Sequence, residues 1–170
     1  MTRGQLAYFT SGVCAGWLGL TALVWSSDTV KTIIKEVTCE NVDNPLIFSE
    51  TNLVNKMKEI NLKFPHIVLA QSQLETGNYK SKIFKHNNNL FGMKEARSRV
   101  KVSAGTKNGH AHYSTWIESL YDYAFMQCRY LGKIDNETDY YNYLGKTYAE
   151  DPDYISKLKK MADKNKQYFK

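Results

Sequence analysis

The chain has 170 residues, a formal charge of +6 and 13% aromatic side chains, which suffices for one domain with a real core and is expected to leave no room for a separate binding module. Residues 1–30 hold one Arg and one Asp, so the basic excess belongs to residues 31–170, where it suits an anionic polymer. Lys and Arg are spread along the chain and no nucleic-acid motif is present, so nucleic acid is not an expected partner.

Leu6 to Trp25 carries no charged residue, and these 20 positions match the hydrocarbon core of a bilayer, so residues 1–27 are expected to be an N-terminal transmembrane or signal segment. Gly12, Gly16 and Gly19 keep the segment weakly hydrophobic, while Tyr8, Trp17 and Trp25 suit an interface. No clear small-x-small site precedes Ser26-Ser27-Asp28, which favours an uncleaved anchor over a cleaved signal, and Cys14 comes too early for a lipoprotein. Arg3 and the α-amine stand against Lys31 and Lys35 across the segment, so charge leaves both orientations open. Residues 28–48 read as a stalk and 49–170 as the functional domain.

Ser49 is expected to cap a helix with Leu53, Met57 and Ile60 on one face. Pro65 suits the first turn of the next, which places Ile67, Ala70 and Leu74 on one face and ends where Gly77 can turn left-handed. Arg99–Ser103 alternates, Lys107-Asn108-Gly109 supplies turn chemistry and His110–Tyr113 alternates again, which predicts a β-hairpin. Leu120, Ala124, Cys128 and Leu131 mark a further helix. Asp139 opens another through Tyr148, and Asp151-Pro152 starts the last, with Ile155, Leu158 and Ala162 inward. The fold class is mainly α (α+β), with a small β-hairpin lobe.

Glu75 falls in the last turn of its helix, where the negative end of the dipole and apolar neighbours disfavour its ionised form. A carboxyl with a raised pKa is a proton donor. Cys39 and Cys128 are the pair that could bridge, but Cys128 also fits an apolar helix stripe, so a buried free thiol is the preferred reading. His110 and His112 share one face of a strand, yet no third ligand stands near in sequence and no metal or cofactor is expected.

Four segments, in order, carry a resemblance: Phe64–Gly77 with Leu74-Glu75-Thr76-Gly77, Asn88-Asn89-Leu90-Phe91-Gly92-Met93-Lys94, Tyr113–Tyr123, and Tyr148–Tyr154. Together they resemble the motifs of bacterial and phage glucosaminidases that cut peptidoglycan, over roughly residues 50–169. The resemblance implies a lysozyme-like helical domain beside a glycan cleft and a peptidoglycan hydrolase, monomeric and facing the cell wall. It further implies cleavage of the β-1,4 bond between N-acetylglucosamine and N-acetylmuramic acid, with Glu75 as general acid. In layout, the N-terminal segment ahead of this domain also resembles phage endolysins that are held in the membrane and later released.

Glycoside cleavage usually needs a second carboxyl group. Related enzymes often carry it in the β-lobe, but Ala96–Ile117 contains no Asp or Glu. Glu118 has capping-box spacing from Thr115 and reads as structural, which leaves Glu95 as the candidate second acid or else the substrate's own 2-acetamido group. Tyr148 and Tyr154 resemble cleft tyrosines that position the sugar, Tyr148 being assigned to catalysis and Tyr154 to binding. Gln71, Asn89, Phe91 and Trp116 are the other substrate-binding candidates. A lytic transglycosylase or muramidase acting on the neighbouring bond, and a non-catalytic wall-binding membrane protein, remain alternatives.

Overall fold

The computed structural model describes residues 44, 46–148 and 151–170, with the backbone alone at Tyr148. The segment 6–25 and Cys39 lie outside the described residues, as does most of the stalk. Among the described residues no helix is long and apolar enough to cross a membrane. Leu46–Lys170 forms one compact unit.

Helix α1 (Glu50–Glu59) starts where the Asn52 N–H donates to Ser49 Oγ at 3.0 Å, and it buries Leu53, Val54 and Met57. Helix α2 (Pro65–Glu75) begins with Pro65 behind a left-handed Phe64. Every residue from Ile67 to Ser72 is buried, so α2 is a central helix covered on all sides rather than one with a single apolar face. Its principal neighbour is α6 (Tyr154–Asn165), and Asn165 Nδ2 donates to Gln73 Oε1 at 3.0 Å between them.

Helix α3 (Lys82–Asn87) is short and capped by Ser81; no sequence expectation covered it. Strands β1 (Gly105–Lys107) and β2 (His110–His112) pair antiparallel, Thr106 opposite Ala111. Asn108 (φ 53°) and Gly109 (φ 74°) make the two-residue left-handed turn whose twist matches the strands. The predicted strand at Arg99–Ser103 does not form. Its valines alternate, but Arg99 and the Val102 N–H both turn to one buried carboxylate, Asp122, instead of to a neighbouring strand.

Helix α4 (Trp116–Leu131) is capped by Thr115, whose Oγ1 accepts the Glu118 N–H at 3.3 Å. Glu118 reaches back as expected of a capping box, one residue further than the cap itself, and accepts the Ser114 N–H at 2.8 Å. Leu120, Tyr123, Met126 and Leu131 face the core, whereas Cys128 is exposed and free. Its position on the outer face of α4 corrects the expectation of a buried thiol. Helix α5 (Glu137–Tyr148) starts two residues before Asp139, because Asn136 accepts the Asp139 N–H at 2.9 Å. A 3₁₀ turn (Lys166–Phe169) closes the described chain.

A run of hydroxyls and amides crosses the core. Gln127 Nε2 donates to Tyr140 Oη at 2.9 Å, Tyr140 and Tyr123 hydroxyls meet at 2.8 Å, and Tyr123 donates to Gln71 Oε1 at 2.6 Å. Burial pushes the Tyr140 hydroxyl up to about 12. Buried polar groups linked in this way fix the mutual rotation of α2, α4 and α5, because any slip strands a desolvated donor.

Candidate active site

Glu75 is the last residue of α2, and the chain leaves it through three successive left-handed residues, Gly77, Asn78 and Tyr79. Thr76 secures that exit: its Oγ1 accepts the Tyr79 N–H at 2.8 Å and its carbonyl accepts the Lys80 and Ser81 N–H groups. The acid is thereby fixed to the rigid end of the core helix.

The opposing wall is the loop 88–94. Asn88, left-handed at φ 51°, ends α3 and donates to the carbonyls of Tyr113 and Ser114 at 3.0 Å each. Asn89 is 1% exposed; its Oδ1 accepts the N–H groups of Phe91 and Met93, and its Nδ2 donates to the carbonyls of Met93 and Ala111. Those bonds curl the loop so that Gly92, at φ +61°, lies against Glu75, where a β-carbon would stand 3.5 Å from Oε2. From the other side the Tyr154 hydroxyl donates to Glu75 Oε1 at 3.1 Å.

Among the described residues the Glu75 carboxyl thus has one hydrogen-bond donor and no cation within ion-pair distance, with backbone on one flank. Burial raises its pKa above the ordinary glutamate value, and the Tyr154 hydrogen bond opposes that rise. It opens onto a cleft of about 650 Å³ whose walls include Met93, Arg97, Arg99, His110, Met126, Tyr130 and Thr147. The volume is in the range of sites that hold sugar-sized ligands.

The structure brings only part of the expected set to this cleft. Tyr154 bonds the acid directly, while the side chain of Tyr148, at the end of α5, lies outside the described residues. Gln71, Asn89, Phe91 and Trp116, the expected substrate-binding residues, are each 3% exposed or less and are not among the residues that line this cleft. Gln71 answers Tyr123, Phe91 packs on the Tyr123 ring at 4.1 Å between centroids, and Trp116 Nε1 donates to the Leu46 carbonyl at 3.1 Å. Their chemistry builds the walls. Glu95 does not line the cleft of Glu75; it sits at a neighbouring one, paired with Lys101 and accepting the Thr106 hydroxyl at 2.7 Å. The Lys101 hydrogen bond, then that from Thr106, holds its pKa below the usual range, so it stays ionised and engaged.

Sequence reasoning missed Tyr130, 47% exposed and lining the cleft, an aromatic face open to a sugar ring. The available signal was its spacing of four from Met126 on the same helix, which puts both on one side.

The family model for mannosyl-glycoprotein endo-beta-N-acetylglucosaminidase, the glucosaminidase family, matches residues 51–167. The chain belongs to the glucosaminidase family. It is therefore a glycoside hydrolase, and the matched residues span every described element from α1 to α6. Among solved structures, the catalytic domain of the autolysin Auto from Listeria monocytogenes is similar, at 22% identity over 78% of this chain and 96% of that one, with a TM-score of 0.48. A comparison with curated proteins finds no match.

Two expected results follow from this geometry. Tyr154→Phe removes the bond that favours the ionised acid, so the Glu75 pKa rises further and the alkaline limb of a kcat–pH profile moves to higher pH. A limb displaced to lower pH would contradict the assignment of Glu75 as proton donor. Gly92→Ala meets no clash at 3.5 Å but forces a β-carbon onto a left-handed residue, at a cost of about 1 kcal/mol, read from the urea midpoint. The new methyl makes ordinary van der Waals contact with the carboxyl.

Proposed function

We propose that this glucosaminidase hydrolyses peptidoglycan at the β-1,4 bond between N-acetylglucosamine and N-acetylmuramic acid, with Glu75 as the general acid. The observation that supports this most is the Glu75 carboxyl, desolvated at the end of a rigid helix, bonded by the Tyr154 hydroxyl and facing an open cleft. Protonated Glu75 gives its proton to the glycosidic oxygen as the bond to the leaving sugar breaks. Tyr130 and Met126 offer the apolar surface on which a ring can lie.

For the second half of the reaction, the 2-acetamido group of the substrate is favoured over Glu95, because Glu95 is committed to Lys101 and Thr106 at the adjacent cleft. The acetamido oxygen bonds to the anomeric carbon as the leaving group departs. Glu75, now a carboxylate, then takes a proton from the water that opens this ring, which returns the enzyme to its starting state and retains configuration. In this reading Tyr148, at the end of α5, helps to seat the sugar. Residues 6–25 tether the lysozyme-like domain outside the cytoplasmic membrane, a placement supported by their uncharged run.

The test is digestion of purified sacculi by the wild type, Glu75→Gln and Glu95→Gln, with released fragments reduced by borohydride and weighed by mass spectrometry. Reduced N-acetylglucosamine ends that vanish in Glu75→Gln and persist in Glu95→Gln are the expected result. Anhydromuramic ends would instead assign a lytic transglycosylase, which also works with one acid, and loss of activity in Glu95→Gln would return the second role to that residue.

A further inference from the structure

A second cleft, of about 820 Å³, adjoins that of Glu75; the two share Lys94, Ala96, Arg97 and Arg99, so the segment 94–99 is their common wall. Four cations line the second cleft, and two are already answered. Lys101 pairs with Glu95, and Arg99 pairs with buried Asp122 at 2.6 Å. Lys94 and Arg97 are exposed and have no carboxylate within 4.0 Å among the described residues.

Two cations with no direct ion pair among the described residues, on a ridge between a sugar cleft and a side cleft, suit an anion attached to the sugar chain as a branch. A glycan backbone of N-acetylated sugars carries no charge of its own along the scissile bond. The stem peptide hanging from the muramic lactyl group does, as carboxylates. We propose that Lys94 and Arg97 bind carboxylates of the stem peptide lodged in the second cleft while the glycan lies over Glu75, so that the enzyme prefers peptide-bearing to peptide-free strands. This rests on the peptidoglycan reading above. The fixed pairs define the rest of that cleft: Glu95 bonds Lys101 directly and acts on Arg97 only through space, so the four cations of the lining outweigh its one carboxylate and the cleft stays positive.

The experiment compares the full chain with Lys94→Ala/Arg97→Ala and with the charge-keeping Lys94→Arg/Arg97→Lys. Substrates are sacculi freed of anionic wall polymers and the same glycan after amidase removal of its peptides, with the lactyl carboxylates so exposed capped as neutral methyl amides. The wild type should cleave peptide-bearing strands with a kcat/KM about ten-fold above peptide-free ones, the order expected of exposed charge-assisted hydrogen bonds. The alanine pair should erase that ratio, raised salt should shrink it, and the charge-keeping pair should hold most of it. A wild type that cleaves both substrates equally, or an alanine pair that slows both by one factor, overturns the proposal while leaving the glucosaminidase reading intact. Failure of the wild type on both substrates overturns the peptidoglycan reading itself, and this proposal with it. Thermal unfolding of each variant confirms that the comparison is among folded proteins.

Discussion

Glu75→Gln should lower kcat on sacculi by about 10²–10⁴-fold, the usual contribution of a general acid, while the variant folds normally and still binds glycan. The amide oxygen keeps an acceptor for the Tyr154 hydroxyl. The same variant should also unfold at a higher temperature than the wild type at neutral pH. Glu75 has a higher pKa folded than unfolded, so the stability its protonated form contributes is complete below the unfolded value and is lost as pH rises through the folded one. Above both values the native state bears the full penalty of a desolvated carboxylate, and a neutral Gln removes it. The stability gain must therefore shrink toward zero as pH falls below the ordinary glutamate range. Scans at neutral and acidic pH decide the matter; a gain that is independent of pH would contradict desolvation as its origin.

Asp122→Asn should be among the most damaging single changes in the domain, at about 3–5 kcal/mol, the range for stranding one member of a buried ion pair. The Asp122 side chain is 0% exposed and that of Arg99 7%. One carboxylate receives both Arg99 nitrogens, the Tyr113 hydroxyl at 2.8 Å and the Val102 N–H at 3.3 Å. It anchors Arg99, the last residue of the wall shared by the two clefts, so activity should fall along with the urea midpoint. Arg99→Met/Asp122→Leu should recover most of the lost stability, since an apolar pair leaves no stranded charge, but not the position of the segment 99–102. A midpoint for Asp122→Asn within about 1 kcal/mol of wild type would show that Arg99 finds solvent or another partner without cost.

Much of the frame was legible because local chemistry and tertiary structure agree. Pro65 does open the core helix, Gly77 does turn left-handed after it, and Asn108-Gly109 does make the hairpin turn. The misses have a common cause. Arg99–Ser103 was read as a strand from its alternating valines, yet its partner is a carboxylate 23 residues away that no local pattern announces. Cys128 fell into an apolar spacing whose true stripe, through Tyr123, Met126 and Leu131, runs beside it. Gln71, Asn89, Phe91 and Trp116 belong to the motifs, and a motif residue shapes a site equally well from inside the core. Sequence shows that such residues matter to the domain and does not show which way they point.

The loop that closes over Glu75 is held by Asn88, Asn89 and the strand β2, and none of those bonds involves the Glu75 carboxylate. The proposed acid and the frame around it are therefore structurally separable. A lineage that loses the acid gives up none of the recorded contacts that shape the loop, gains stability at neutral pH and keeps its clefts. On the proposed role of Glu75, a protein that keeps the cleft and no longer cuts is one substitution away, and the step runs downhill.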